Sequence, residues 1–382
     1  MENKMEQLHN QTDAVVVTEC TNGDVYDYIV DIPAGREVTV LQLSDLQLMS
    51  MDGVRNETRY QQIFAAFYGD NVHDQYTQVW RYVDEAIERT KPALIVLAGD
   101  LIYGQTDDGG ALWLEVCEQM DSYGIPWFVV FGNHDNESGK GVLWQIEQVR
   151  ASKYGVLKRG SVTGNSNYSV GLRQDGKFIY TLYMVDTNGC RVYPENPGEG
   201  MMPDNPDIAL IMQKKGICDD QIAWLCDTAN AISEKHGEIP AAAFMHIALS
   251  EAVAAVREQY PSIPERYLRP GLYGERFDAD LPGDSGCSYE GYTGLDTEGR
   301  FWAFAKEHGV KGLFFAHAHI IASSIVYDGI RLTYGLKSST HDYHHPEMLG
   351  ALAITFGEGG ALSVDYNYTE LPYQTELTKT EK

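Results

Sequence analysis

Residues 38–45, VTVLQLSD, form a short apolar run that ends in an acid, Asp45. Five further runs have the same form and also end in polar groups: ALIVLAGD (93–100), WFVVFGNHD (127–135), IYTLYMVDTN (179–188), AAAFMHIA (241–248) and GLFFAHAH (312–319). Runs of this length that are rich in Val, Ile, Phe and Leu are typical of strands covered on both faces. They predict a sheet buried at the centre of the protein.

Helical patterns separate several of these runs. Residues 74–90, 110–124 and 219–237 carry apolar side chains at helical spacing, and the last two segments end in glycine. Strands that alternate with helices predict an α/β fold with helices outside a central sheet. Residues 323–336 and 351–368 are typical of β-hairpins with Asp-Gly and Gly-Gly turns, so we expect the sheet system to be mixed.

The chain shows no internal repeat and no clear linker, so we expect one main domain over residues 36–370. Residues 1–35 are predicted to form an N-terminal extension with a strand packed on the core, and residues 371–382 a polar tail. Two irregular segments, 49–73 and 189–218, are candidates for the rim or lid of a site, because long loops inside a compact domain are often functional.

The chain is strongly acidic, with 29 Lys and Arg residues against 55 Asp and Glu residues and a formal net charge of −26. Such a surface repels polyanions, which argues against a nucleic-acid polymer or an anionic membrane as partner. A small phosphorylated substrate stays compatible, because bound cations can dominate the local field. The polar N-terminus and the lack of a long apolar segment predict a cytoplasmic protein, or a secreted one if a signal peptide has been removed.

Potential metal ligands follow five of the six runs, at the point where each strand should end. They are Asp45 with Gln47, Asp100, Asn133 with His134, His246, and His317 with His319. Taken singly, Asp100 could cap a turn, Asn133 could hold a left-handed turn, and His246 could be a hydrogen-bonded core residue. Ligands of open α/β sheets bind beyond the carboxyl ends of the strands, so together these residues predict one site.

The chemistry of these side chains bears on the metal. Carboxylates, amide oxygens and imidazoles without a thiolate suit Mn, Fe, Zn or Mg. Even with His134 left aside, the seven remaining side chains are too many for one tetrahedral zinc ion. They fit two ions about 3.5–4 Å apart, bridged by a carboxylate and a hydroxide.

The order of these motifs resembles the calcineurin-like metallophosphoesterase family. The matching pieces are SDLQ, AGDLIYG, FGNHDN, FMHIAL and AHAH, and the resemblance spans about residues 38–360. Finer features are similar to the small purple-acid-phosphatase-like branch: GNSNYSV (164–170), FMHIALSE (244–251), the GLYGE stretch ending at Glu275, and YDGIRLTYGLKSS (327–339). The fold implied is two stacked mixed β-sheets flanked by helices, a four-layer αββα sandwich.

Carried onto this sequence, the resemblance implies two metal ions. Asp45, Gln47, Asp100 and His319 would hold the first ion, and Asp100, Asn133, His246 and His317 the second, with Asp100 as the bridge. Two positions depart from the family pattern, because Gln47 replaces the commoner His and Ala316 replaces the usual Gly. An amide oxygen is a weaker donor to zinc than imidazole, so we expect the first site to favour Mn or Mg relative to a His version.

The implied activity is hydrolysis of a small phosphate monoester or diester by a hydroxide that bridges the two ions. His134 would face the substrate together with Asn133 and protonate the leaving group, and Asp135 would orient the ring of His134. Glu275 and His341 are further candidates for substrate contacts. Two alternatives stay open: a nucleotide pyrophosphatase or cyclic nucleotide phosphodiesterase of the same fold, and a catalytically silent metal-binding scaffold.

Overall fold

The computed structural model describes residues 14–21, 23–49, 72–107, 109–188, 216–281 and 284–369. Residues 1–13 of the predicted N-terminal extension lie outside these ranges, as does the whole of the polar tail predicted at 371–382. Most of the two irregular segments, 49–73 and 189–218, also lies outside the described residues.

The described residues form sixteen strands and six α-helices. The strands are β1 (Val16–Glu19), β2 (Tyr28–Ile32), β3 (Val38–Leu43), β4 (Leu94–Leu97), β5 (Trp127–Val129), β6 (Gly155–Val156), β7 (Tyr168–Gln174), β8 (Lys177–Met184), β9 (Ala241–Phe244), β10 (Leu272–Leu281), β11 (Asp284–Glu290), β12 (Val310–Phe315), β13 (Ile321–Tyr327), β14 (Ile330–Tyr334), β15 (Gly350–Phe356) and β16 (Leu362–Tyr368). The helices are α1 (Val72–Thr90), α2 (Ala111–Ser122), α3 (Val142–Ala151), α4 (Asp219–His236), α5 (Ser250–Gln259) and α6 (Arg300–Glu307).

All six apolar runs are strands, and each strand ends before the polar residues that follow it. Runs 38–45, 93–100 and 127–135 supply β3, β4 and β5, which lie side by side and parallel in a six-stranded sheet of order β16-β15-β3-β4-β5-β6. The other three runs supply β8, β9 and β12, which are parallel neighbours in a ten-stranded sheet of order β1-β2-β7-β8-β9-β12-β14-β13-β11-β10. Because parallel strands point the same way, their carboxyl ends meet at one edge of each sheet.

The two sheets stack face to face around a shared aromatic core. The ring of Phe356 on β15 lies 4.6 Å from that of Tyr180 on β8 and 6.4 Å from that of Phe314 on β12. Helices α1 to α3 pack with the six-stranded sheet, and α4 to α6 with the ten-stranded sheet. Strands covered on both faces must be apolar throughout, which is why the six runs carry no alternation. The predicted α/β fold with two mixed sheets and flanking helices is confirmed.

Both predicted C-terminal hairpins are present. Strands β13 and β14 pair antiparallel through a turn at Asp328 and Gly329, whose φ angles are 48° and 83°. A two-residue hairpin turn of this kind needs positive φ at both central positions, which Asp-Gly tolerates. Strands β15 and β16 form the second hairpin, and β15 pairs antiparallel with β3. The hairpin of β10 and β11 was not predicted.

The described part of the N-terminal segment belongs to the ten-stranded sheet. Strand β2 pairs in parallel with β7, and β1 pairs antiparallel with β2 at the edge of the sheet. The proposed boundary at residue 35 stays a prediction. In the described part of the chain, no helix combines the length and the apolar composition needed to cross a lipid bilayer.

Candidate metal centre

The ends of β4, β9 and β12 bring three buried ligand atoms together. Nε2 of His246 lies 3.2 Å from Oδ2 of Asp100, and Nδ1 of His317 lies 3.2 Å from Nε2 of His246. One atom from each of these three residues falls within 4.8 Å of the others. A carboxylate and two imidazole nitrogens in such a cluster can hold one metal ion.

A second pair of candidate ligands lies beside this cluster, at the ends of β3 and β12. Nε2 of His319 is 3.5 Å from Oδ1 of Asp45, while Oδ2 of Asp45 accepts a hydrogen bond from the backbone N–H of His317. The structure thus brings Asp45 and His319 together as the resemblance implied. Both side chains are almost fully buried.

The hydrogen bonds of the histidines fix which nitrogen is available. Nδ1 of His246 is 2.8 Å from the carbonyl oxygen of Ala98, and Nδ1 of His319 is 2.8 Å from that of Tyr343. A carbonyl oxygen only accepts, so each Nδ1 carries a proton, and Nε2 is the atom that faces a carboxylate and could bind a metal after losing any proton it holds. In metal sites, the histidine nitrogen that does not bind the ion commonly makes such a hydrogen bond, and this contact orients the ring.

The protonation equilibria of the cluster show its attraction for positive charge. Burial lowers the pKa of His246, but the carboxylates of Asp100 and Asp45 outweigh burial and raise that pKa to about 9. Burial and the neighbouring His246 lower the pKa of His317 to about 3, so the lone pair on His317 stays available. A site that holds a proton against burial also favours a bound cation.

The oxygen atoms present also fit two metal ions. Oδ1 of Asp45 and Oδ1 of Asn133 are both buried, and neither has a hydrogen-bond partner among the described residues. A buried acceptor without a donor is costly, and a cation would remove that cost. One donor set would comprise Asp45, Asp100 and His319, and the other Asp100, Asn133, His246 and His317.

Four of the candidate site residues have a strained backbone. Asp45, Gln47, Asp100 and His317 have φ angles of 53°, 43°, 52° and 67°, in the left-handed region that side chains other than glycine rarely adopt. Residues held in such conformations cluster at functional sites, because the surrounding structure must compensate for the strain. Here each strained residue is the polar one that follows a strand.

Two glycines allow the loops after β4 and β5 to approach each other. Gly99 has a φ of 93°, and a Cβ there would lie 2.6 Å from the backbone nitrogen of Gly132. A Cβ at Gly132 would collide with Oδ1 of Asp100. The glycines of the GD and GNHD motifs are therefore needed to seat Asp100.

Gln47, which was predicted to bind the first metal through its amide oxygen, contacts a buried lysine. Oε1 of Gln47 accepts a hydrogen bond from Nζ of Lys337 at 2.9 Å, and Nε2 of Gln47 lies 3.4 Å from Oδ2 of Asp100. The prediction considered neutral and acidic side chains and left out a buried lysine. Lys337 lies beyond the end of β14, so the rule used for the other strands would have found it.

Asp135, which was predicted to orient the ring of His134, binds backbone N–H groups with both carboxylate oxygens. Its Oδ2 accepts hydrogen bonds from the backbone N–H groups of Asp100 and Gly132, and its Oδ1 accepts those of Leu101 and Ile102. Asp135 therefore ties the loop after β5 to the loop after β4, and its carboxylate is fully used in doing so.

The ring of His134 is oriented by Glu137 instead. Nδ1 of His134 lies 2.7 Å from Oε2 of Glu137, and the backbone N–H of His134 donates to Oδ1 of Asp100 at 2.7 Å. The ring of Tyr103 stacks on His134 with centroids 4.4 Å apart. Glu137 follows His134 by three residues, and this spacing within a turn was the signal that sequence reasoning missed.

The two other candidates for substrate contacts have different surroundings. Glu275 is 80% exposed and pairs with Arg266 on the surface, so its contact with a substrate stays a prediction. His341 is buried in the segment after β14, where its backbone N–H donates to the hydroxyl of Ser339. Ser339 in turn donates to the carbonyl oxygen of Leu46, so this segment borders the loop that carries Asp45.

A cavity of about 380 Å³ opens beside the cluster. Its lining includes His317, Tyr343, Glu290, Asp342 and Thr293. Glu290 is held by the backbone N–H of Ile320 and the hydroxyl of Tyr343, whose ring stacks on His319. Sequence reasoning missed Glu290, although it is the polar last residue of β11.

Known proteins resemble the chain over much of its length. It is 26% identical to an Arabidopsis thaliana protein named "Probable inactive purple acid phosphatase 28" over 70% of this chain and 63% of that protein. It is 28% identical to the Saccharomyces cerevisiae protein "Phosphatase DCR2" over 30% of this chain and 22% of that protein. The chain thus spans less than two thirds of the length of these curated relatives.

Among solved structures, a dimetal phosphatase from Danio rerio matches with a TM-score of 0.48 and 11% identity, over 88% of this chain and 98% of that one. The purple acid phosphatase PPD1 from yellow lupin seeds (Lupinus luteus) matches with a TM-score of 0.44 and 12% identity, over 89% of this chain and 53% of that one.

The family model described as calcineurin-like phosphoesterase matches residues 38–320. This match covers most of the chain and contains β3, β4, β5, β9 and β12, whose carboxyl ends carry the buried carboxylate, amide and imidazole groups described above. The chain belongs to the calcineurin-like phosphoesterase family.

Proposed function

We propose that the protein is a two-metal phosphoesterase that hydrolyses a small phosphate ester. The observation that carries the proposal is the buried position of Asp100 between two donor sets. Oδ2 of Asp100 faces His246, while a separate pair, Asp45 and His319, lies alongside. Each set also contains a buried oxygen without a donor among the described residues, Oδ1 of Asp45 in one and Oδ1 of Asn133 in the other.

The proposed ligands are Asp45, Asp100 and His319 for one ion and Asp100, Asn133, His246 and His317 for the other. Two bound cations would make a water molecule more acidic and neutralise charge on the phosphoryl oxygens. Mn, Fe, Zn and Mg all suit these donors.

His134 would supply the proton that the leaving oxygen needs. Its Nδ1 is engaged by Glu137, and Nε2 is the proposed proton donor. The contact with Glu137 and the stacking on Tyr103 limit rotation of the ring. A positioned acid of this kind typically contributes about 10²–10⁴-fold to the rate.

The cavity beside His317 supports a small ester and argues against nucleotide pyrophosphates. Its volume of about 380 Å³ suits a compact leaving group. Among the described residues of its lining, Glu290 and Asp342 are acidic, and none is Lys or Arg. A second phosphate of the substrate would find no cationic side chain among these residues, which disfavours nucleotide diphosphates relative to a simple monoester or diester.

A catalytically silent scaffold is the competing proposal, because the Arabidopsis relative carries the word inactive in its name. The pair of His134 and Glu137 argues against it for this chain. Both side chains are at least 97% buried, yet they form an oriented acid that a scaffold would not need.

The test is a hydrolysis screen on protein freed of metal with a chelator. The protein is reloaded with Mn, Mg, Zn or Fe and assayed with an aryl phosphate, a bis-aryl phosphate and nucleotide diphosphates. We expect metal-dependent turnover of the first or second substrate class, abolished by Asp100→Asn and kept by the exposed control Asp175→Asn. If no metal restores turnover of any substrate while two ions bind, the scaffold is the correct description.

A further inference from the structure

Lys337 is a buried cation within the candidate first metal site. Its side chain is 0% exposed, and its Nζ donates to the backbone oxygen of Asp45 at 2.7 Å and to Oε1 of Gln47 at 2.9 Å. A lysine is almost never fully buried unless its ammonium group is paired. Both acceptors belong to the loop after β3, where the first ion would bind.

The contact with Lys337 decides which way the amide of Gln47 points. An ammonium group has three donors and no acceptor, so the amide atom facing it must be the oxygen. The amide N–H₂ group then faces Oδ2 of Asp100, 3.4 Å away. Gln47 therefore turns its N–H₂ group, which has no lone pair for a metal ion, toward Asp100 and its oxygen toward Lys337.

The two donor sets differ as a result. The set that contains Asp100, Asn133, His246 and His317 has four side chains, with a free oxygen on Asn133 and oriented imidazoles. The set that contains Asp45, Asp100 and His319 has three, and a positive charge lies against its loop. Like charges disfavour each other most where water is excluded.

We propose that Lys337 makes the two metal sites unequal: it keeps Gln47 out of the first set and places a positive charge beside it, so that the second site fills first. The ion of the first site, held by Asp45, Asp100 and His319, then binds only at a higher metal concentration. This inference rests on the proposed two-metal centre and is independent of which ester is hydrolysed.

The experiment titrates the full-length, chelator-treated protein with Mn²⁺ and follows it by electron paramagnetic resonance. We expect a mononuclear Mn²⁺ spectrum up to one equivalent. The spectrum of a coupled pair should appear only at a metal concentration roughly 10- to 100-fold higher, the range by which contacts around ligands change metal affinity. A coupled spectrum from the first additions would mean that the sites fill together and would overturn the proposal.

Lys337→Met removes the charge and keeps an unbranched side chain. In this variant the coupled spectrum should appear at a metal concentration roughly 10- to 100-fold lower than in the wild type. Lys311→Met removes the same charge from an exposed position on β12 and should change nothing. If the coupled spectrum of Lys337→Met appears at the same metal concentration as in the wild type, the proposal is overturned.

Gln47→Leu keeps the proposal testable if Lys337→Met does not fold. A side chain that is not a ligand can be replaced without weakening the second binding step. If Gln47→Leu weakens that step, Gln47 is a ligand and the proposal fails. Two separated binding steps in a protein without hydrolytic activity would refute the proposed function alone, whereas hydrolysis by a protein with equal sites would refute this inference alone.

Discussion

Nδ1 of His134 lies 2.7 Å from Oε2 of Glu137, and only 3% and 1% of the two side chains is exposed. The pair lies within one turn, because Glu137 follows His134 by three residues. In a buried environment such a contact fixes the orientation of an imidazole. We propose that Glu137 acts on the reaction through His134.

Glu137→Gln keeps the size of the side chain and removes its charge. We expect turnover of esters with poor leaving groups to fall by roughly 10- to 100-fold, because proton donation by His134 weakens. Esters with good leaving groups need less protonation and should be affected less. The measurement is kcat across aryl phosphates whose phenols differ in acidity.

Glu147→Gln, at an exposed position on α3, is the matched control and should leave every rate unchanged. Metal content should stay the same in both variants. An equal loss on good and poor leaving groups would show that Glu137 does not act through proton donation.

Asp135→Asn is predicted to destabilise the fold. The carboxylate accepts four backbone N–H groups, and an asparagine would place its own N–H₂ group against two of them. We expect the free energy of unfolding to fall by about 3 kcal/mol, the scale of losing charged hydrogen bonds in the interior. Urea denaturation measures it.

Asp175→Asn changes the same charge in an exposed turn and serves as the control for Asp135→Asn. A change in activity at unchanged stability in Asp135→Asn would mean that Asp135 acts in the reaction rather than in the fold.

Gly132→Ala should displace Asp100 and reduce metal binding at both sites. The added Cβ collides with Oδ1 of Asp100, which is proposed to bridge the ions. Elemental analysis after dialysis against Mn²⁺ should find about two ions per chain in the wild type and clearly fewer in the variant. Gly109→Ala, where a Cβ meets nothing within 4 Å, should keep the wild-type content.

Removal of metal should lower thermal stability as well as activity. Ions that bind only the folded protein stabilise it by about 2.7 kcal/mol at 100 times their dissociation constant. Without them, the carboxylates of Asp45 and Asp100 stay buried with no metal ion to compensate their charge. We expect the melting temperature to fall on chelation and to recover with Mn²⁺ or Zn²⁺. If chelators change neither the melting temperature nor the hydrolysis rate, the result contradicts a metal centre.

The strands were predictable because each buried strand is a contiguous apolar run, and the run ends where the chain reaches the polar edge of the sheet. That single rule located Asp45, Asp100, Asn133, His246 and His317. Spacing along a strand also brought His319 into the prediction. An apolar run is a local feature of the sequence, so it can be recognised without knowing which strands pair with it.

Two contacts that the sequence did not reveal join segments distant in the chain. The lysine that binds Gln47 is 290 positions away. Asp135 was assigned to its neighbour His134, whereas its partners lie about 33–35 positions earlier, except for Gly132. Positive φ at Asp45 or Asp100 is equally invisible in the sequence, because these residues adopt it only under tertiary constraint.

The candidate ligands come from both sheets, and this has a consequence for folding. Asp45 ends a strand of the six-stranded sheet and contacts His317, 272 positions later, beyond a strand of the ten-stranded sheet. An ion held by residues from both sheets would act as a cross-link that closes a very long loop of chain. Metal should therefore slow unfolding more than it speeds refolding, because the binding site does not exist until the sheets have docked.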